Sequence, residues 1–235
     1  MRPETLTDLD GNEYATVQIG KQLWMAENLN VSRFRNGDPI LELNNYNQFL
    51  EAGEKQEPAC CFYNYQQENG KDYGMLYNWH ALIDPRGFAP EGWHIPSDQE
   101  WTKLTDYLCG INGSEKTQKS YFQSLGEGAG TEVIDGVAAQ MKHTIGWCED
   151  GNGTNSAGFA ALPGGYGNCD PSGMLSDFEG IGEEGKWWSL TETSDPSNWL
   201  MENCIWTRKM SYNSGYIHRE WNAKEDVLSV RCIKD

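Results

Sequence analysis

Residues 90–101 read PEGWHIPSDQEW, and this stretch carries the clearest structural signal in the chain. Ser97-Asp98-Gln99-Glu100 is a capping box: the Ser hydroxyl accepts from the third helical amide while the Glu side chain reaches back to the cap amide. A helix must follow, and Trp101, Leu104 and Leu108 then fall on one face. Gly110 supplies a left-handed stop. Before the cap, Trp93-His94-Ile95-Pro96 is extended. A short strand therefore feeds a helix through a buried tryptophan, and His94, between two large apolar side chains, reads as a satisfied structural histidine.

Working outward, Glu13–Leu29 (EYATVQIGKQLWMAENL) alternates with period two over residues 14–19, a strand signal. Gly20-Lys21 fits a Gly-X hairpin turn, with Gln22–Met25 returning as the second strand. Residues 36–73 are polar, without sustained period, and predict a long surface excursion on which Tyr63, Tyr65, Tyr73 and Tyr77 lie flat. Residues 111–135 read as irregular, and Val137–Met141 as a short helical or extended piece. Gly158–Tyr166 predicts a short apolar strand running into a Pro163-Gly164-Gly165 turn. Gly185–Glu192 and Leu228–Ile233 predict further strands, the last one alternating. No linker and no fixed-period repeat interrupts the chain, so residues 1–235 read as one domain, with 1–9 as a flexible N-terminal segment.

Composition agrees with short strands and long loops. Only 38% of residues are hydrophobic, yet there are 10 Trp, 11 Tyr and 26 Gly, so large rings must supply much of the buried area. The formal net charge of -17 opposes nucleic-acid binding, which requires clustered Lys and Arg, and opposes an anionic membrane surface. No apolar run approaches the roughly 20 residues that span a bilayer, so membrane insertion is not expected. Met1–Asp10 is polar and acidic, unlike a signal peptide. The seven cysteines are an odd number with no C-x-x-C spacing, which leaves compartment open and gives a zinc ribbon no support.

The segments 10–30, 73–82 (YGMLYNWHAL), 90–101, 158–166 (GFAALPGGY), 187–192 (WWSLTE) and 229–235 (SVRCIKD) together resemble the Fibrobacter succinogenes major paralogous domain family. The resemblance runs from residue 10 to the end. It implies an α+β, C-type-lectin-like fold: small twisted antiparallel sheets, about two helices and long loops, with the two chain ends in adjacent strands. It also implies a relation to the formylglycine-generating enzymes and a location outside the cell or on its surface.

The enzyme branch of that relation does not carry over residue by residue. Those enzymes act through a close Cys pair near the C-terminus, whereas Cys204 and Cys232 stand 28 positions apart. His80, His94, His143 and His218 have no metal spacing, and no nucleophile elbow or phosphate loop is present. No catalytic residue, metal ligand or cofactor is therefore assigned. Calcium-dependent sugar binding is the sharper rival, but both motifs that resemble a C-type lectin's are degraded. Asp195-Pro196-Ser197-Asn198 lacks one amide, and Trp221-Asn222-Ala223 lacks its carboxylate.

Residues 195–226 are rich in Trp, Tyr, Asn, Ser, Arg and His, the side chains of adaptable recognition surfaces. The expectation is a non-catalytic module that binds a protein or glycan ligand through Trp199, Asn203, Trp206, Arg208, Tyr212, Asn213, Tyr216 and His218. The rings would give contact area, and the amides and Arg208 directional hydrogen bonds. Asn203, Ile205, Thr207, Ser211, Tyr212, Asn213, Ser214, Tyr216, His218 and Asn222 are also compatible with the adenine-directed randomisation of a variable protein from a diversity-generating retroelement. A formylglycine-generating-type oxidase and a structural surface or adhesion subunit are the alternatives.

Overall fold

The computed structural model describes residues 5–110, 136–170, 172, 177–193 and 204–235. Strand β1 (Thr5–Thr7) pairs antiparallel with β2 (Glu13–Ile19), and Leu6 is buried. Residues 5–7 thus belong to the sheet, not to a flexible leader, because Leu6 has an apolar cluster to enter. β3 (Gln22–Met25) returns from β2 through the two-residue Gly20-Lys21 turn, with Ile19 opposite Gln22. Gly20 sits at φ +61, and a Cβ there would lie 2.9 Å from the Tyr107 ring, so glycine is required twice over. The buried side of β2 changes along its length. Tyr14 enters one cluster, while Ile19, with Val17 beside it, enters another.

β4 (Leu41–Glu42) leads into helix α1 (Tyr46–Lys55), which interrupts the expected surface excursion. Asn45 caps it by accepting from Gln48 N, and Phe49, Ala52 and Gly53 form its buried side. β5 (Ala59–Cys61), α2 (Gly70–Tyr73), β6 (Leu76–Tyr77) and α3 (Trp79–Leu82) follow, and β4, β5 and β6 form a small three-stranded sheet. Tyr77 does not lie flat on the surface. It is fully buried, with its hydroxyl donating to Val31 O.

β7 (Trp93–His94) precedes α4 (Asp98–Leu108), whose capping box at Ser97 and Glu100 forms as the sequence requires. Gly110 closes it at φ +69. Trp101, from the first turns of α4, packs 4.8 Å from Trp24 and 5.8 Å from Phe159 between ring centroids, and donates its Nε1 to Trp188 O. Each ring buried this fully contributes on the order of 3 kcal/mol over exposure. A few rings replace the missing aliphatics.

α5 (Val137–Met141) is a short helix, and β8 (Gly164–Gly167) begins where a turn was expected. Phe159–Pro163 is not a strand. Gly164 and Gly167 pair with Ile181 and Phe178 of β9 (Phe178–Ile181), Gly165 pairs with Gly185, and rings and backbone lie too close to all three glycines to admit a Cβ without a shift. β10 (Glu184–Glu192), β11 (Cys204–Ser211) and β12 (His218–Ala223) complete a sheet ordered β12-β11-β10-β8-β9. β13 (Ile233–Lys234) lies between β3 and β7, so the chain ends meet in the sheet β1-β2-β3-β13-β7. The fold is mixed α+β with curled, mainly antiparallel sheets.

The run before β13 was expected to alternate and does not. Val227–Ile233 is buried throughout, touching β8, β6 and β10 through single bridges of Val227, Leu228 and Ser229. It threads the interior between sheets, so neither face meets water. Arg231 is carried inside with it. Its Nε donates to Asn28 Oδ1 at 2.9 Å, its other nitrogens donate to Phe159 O and Ala160 O, and its guanidinium lies 4.2 Å from the Phe159 ring centroid. Asn28 Oδ1 also accepts from Trp187 Nε1 at 2.9 Å.

Candidate functional site

β11 and β12 form an antiparallel hairpin at the edge of the second sheet, with Trp206 opposite Trp221, Arg208 opposite Arg219, Thr207 opposite Glu220 and Lys209 opposite His218. Period-two geometry gives the hairpin two faces. One carries Trp206, Arg208, Arg219 and Trp221 and looks toward the start of α4. The other carries Ile205, Thr207, Lys209, His218, Glu220 and Asn222.

On the first face both arginines converge on Asp98. Its Oδ1 accepts from Arg208 Nη1 at 2.6 Å and from Arg219 Nε at 2.9 Å, while Oδ2 accepts from Arg219 Nη2 at 3.0 Å. Arg208 Nη2 reaches Asp98 O and Thr102 Oγ1. Burial pushes the Asp98 carboxyl up, but the two guanidiniums outweigh it and hold the pKa below the ordinary value. Arg219 also lies 3.3 Å from the Trp206 ring centroid, a close cation–π stack. Trp221, across the hairpin, is 43% exposed. Two arginines share one carboxylate, so this face is locally positive in a chain of net charge -17.

The tip of the hairpin is held from beneath by Lys142. That side chain is 1% exposed, and its Nζ donates to Ser211 O, to Ser214 O at 2.9 Å and to Tyr212 O at 3.3 Å. Burial lowers its pKa to about 8. Ala138 N donates to Gly215 O, and a Cβ on Gly136 would lie 1.8 Å from that same oxygen. A Cβ on Gly151 would lie 2.4 Å from Tyr212 O. Bare backbone at 136 and 151 is what lets the tip dock. Tyr212 and Tyr216 are half-buried there, and Asn213 is exposed.

The second face is mostly inward or internally paired. Ile205 is in the core, and Thr207 Oγ1 donates to Asn222 Oδ1 at 3.1 Å. Asn222 Nδ2 donates in turn to Asp226 Oδ2. Lys209 bridges Glu220 at 2.8 Å and Glu184 at 3.5 Å. His218 Nε2 is 3.0 Å from Ser214 Oγ, and burial, followed by the nearby Lys209, lowers its pKa.

The expected contact residues are therefore dispersed. Trp206 lies on the first face, Tyr212, Asn213 and Tyr216 lie at the tip, and His218 lies on the second face. Arg208 is corrected from surface contact to internal strut, since it is 1% exposed with its donors committed to Asp98 and α4. Trp199 and Asn203 lie outside the described residues, as does Asp195–Asn198. Of the positions compatible with randomisation, Ile205, Thr207, Ser211 and Asn222 are buried, so side chains there would meet the protein interior rather than a ligand. Arg219 has no place among the residues expected from sequence, and Trp221 enters there only through the degraded Trp221-Asn222-Ala223 motif, not as a contact residue. Their signal was the alternation R-E-W in step with W-T-R, legible only once the two strands are registered.

For the rival chemistries, the Asn222 amide is committed inward to Thr207 and Asp226. Among the described residues, no group of three or more His, Cys, Asp or Glu could hold a metal ion. Burial pushes the thiols of Cys204 and Cys232 up. Among the described residues no helix is long and apolar enough to cross a membrane.

The family model described as the Fibrobacter succinogenes major domain matches residues 17–234. Comparison with curated proteins and with solved structures finds no match.

Proposed function

The chain belongs to the Fibrobacter succinogenes major domain family, and we propose that it is a non-catalytic module that binds a protein or glycan ligand outside the cell or on its surface. The contact surface is the outer edge and tip of the β11–β12 hairpin, with Trp206, Arg219 and Trp221 as anchors and Tyr212, Asn213 and Tyr216 as the adaptable rim.

One observation carries this reading. A half-exposed tryptophan on an edge strand faces a second tryptophan whose ring is stacked under an arginine, and that arginine is locked by a carboxylate from another element. Trp and Arg held rigidly are the side chains that dominate binding energy, since little rotamer entropy remains to be lost on contact. The buried Lys142 serves the same end by fixing the tip before any ligand arrives.

The test is a glycan and protein array probed with the full chain and with Trp221→Ala, each with and without calcium chelation. Capture that disappears in Trp221→Ala and survives chelation supports the surface. Capture unaffected by Trp221→Ala places the ligand elsewhere. Calcium dependence would return the degraded lectin motifs to consideration. If the 3′ end of the gene is diversified, the accessible codons are 212, 213, 214, 216 and 218, and a near-identical adenine-differing repeat should vary at those and spare 205, 207, 211 and 222.

A further inference from the structure

At the opposite edge of the same sheet, an open cleft of about 540 Å³ is lined by Tyr63, Tyr166, Phe178, Glu179, Gly180, Ile181, Glu183 and Glu184. It lies at the β9 end of the order β12-β11-β10-β8-β9, away from Trp221. Glycines shape it. A Cβ on Gly165 would sit 2.4 Å from the Tyr63 ring, and one on Gly180 would sit 3.0 Å from Glu184 Cβ. Their absence lets the Tyr63 ring approach the sheet and keeps the wall open at Glu184.

The rings are braced from within. Phe178 lies 5.2 Å from Tyr63, 4.9 Å from Tyr65 in an edge-on contact, and 6.3 Å from Phe49. The charges are unequally satisfied. Glu184 has Lys209 at 3.5 Å and accepts from Ser211 Oγ. Glu179 accepts from the Tyr166 hydroxyl at 2.9 Å, but neither Glu179 nor Glu183 has a basic partner among the described residues. Burial above all pushes the Tyr63 phenol up, and the nearby charges of Glu179 and Glu183 add to it. Lys186 already lies 3.8 Å from the Tyr166 ring centroid, so this wall holds one internal cation against an aromatic face.

We propose that the cleft binds an organic cation, an alkylammonium or guanidinium head group, with Tyr63 and Phe178 contacting its apolar surface and Glu179 and Glu183 supplying the counter-charge. Ring faces attract cations through their quadrupole, most strongly where carboxylates stand beside them. The net charge of -17 draws such ligands in. A neutral sugar would use the rings but leave both carboxylates without the charge they select.

The test is a titration of the isotopically labelled full chain followed by NMR. The probes are choline, its neutral isostere 3,3-dimethyl-1-butanol, glucose and an acetylated arginine-containing tripeptide. Glu179→Gln and Glu183→Gln preserve volume and leave Phe178 packed, so loss of folding does not confuse the result. We expect saturable shifts at Tyr63 and Phe178 with choline or the tripeptide, weakened about tenfold in the double Gln variant, as loss of about 1.4 kcal/mol would give. Choline binding marks a free small cation, and binding of the tripeptide alone marks a basic side chain of a protein partner. The proposal is overturned if the neutral isostere or glucose binds as well as the cations. It is equally overturned if the Gln variants bind unchanged or if no probe gives a saturable shift in the millimolar range. Trp221→Ala should leave all these shifts intact, which separates the cleft from the hairpin surface.

Discussion

Asp98 Oδ1 stands 2.6 Å from Arg208 Nη1, and this ion pair ties the first turn of α4 to β11 of the second sheet. Arg208 is 1% exposed, so its charge has no water to turn to if the carboxylate is removed. Asp98→Ala should therefore cost about 3–5 kcal/mol, the usual penalty for leaving one partner of a buried pair uncompensated. Urea unfolding measures it, and a loss below about 1 kcal/mol would mean that water reaches Arg208. The folded pKa of Asp98 lies below its unfolded value. The contribution is thus present at neutral pH and is lost as acidification passes the folded pKa.

Trp187 and Trp221 separate core from contact surface. Trp187 is fully buried and donates to Asn28, so Trp187→Ala should cost about 3–5 kcal/mol. Trp221 is 43% exposed on an edge strand, and Trp221→Ala should change stability by no more than about 0.5 kcal/mol. Thermal unfolding of the two variants side by side checks this. A large loss in Trp221→Ala would make that ring structural and remove the anchor from the proposed surface.

Local chemistry was readable in the sequence, and pairing in space was not. The Ser97 box and the Gly20-Lys21 turn are both set by neighbours in the chain, and both form as expected. α1 escaped notice because its buried side is only Phe49, Ala52 and Gly53, too little bulk to print a helical period on a stretch rich in Asn, Gln and Glu. The terminal run misled for the opposite reason. Arg231 and Ser229 imitate the polar side of a half-buried strand, yet both are inside, satisfied by Asn28 and by backbone from distant segments. Arg208 likewise resembled a surface contact because its partner, Asp98, lies 110 positions away.

Lys142 should control the order of the hairpin tip. Lys142→Met keeps the length and apolar stem but leaves the carbonyls of Ser211, Tyr212 and Ser214 without their shared donor. The expected cost is about 1–3 kcal/mol. Amide exchange should quicken at residues 212–217 more than in β10 or α4. Uniform quickening across the chain would show that Lys142 supports the whole fold rather than the tip.

His94 joins the C-terminus to the capping box, with Nδ1 2.7 Å from Asp235 Oδ1 and Nε2 3.0 Å from Glu100 Oε1. Burial by itself would lower its pKa, but the two carboxylates outweigh burial and raise it. A raised folded pKa means that the folded state holds the proton more tightly than the unfolded chain. The stabilisation is therefore complete below the unfolded pKa of about 6.5 and fades as pH rises through the folded value. His94→Gln keeps a donor but cannot gain the charge. Its deficit in urea midpoint relative to the parent should be largest near pH 5 and should shrink toward pH 9. An equal deficit at both ends would mean that His94 acts as a neutral hydrogen-bonding group between Asp235 and Glu100, with its charge contributing nothing.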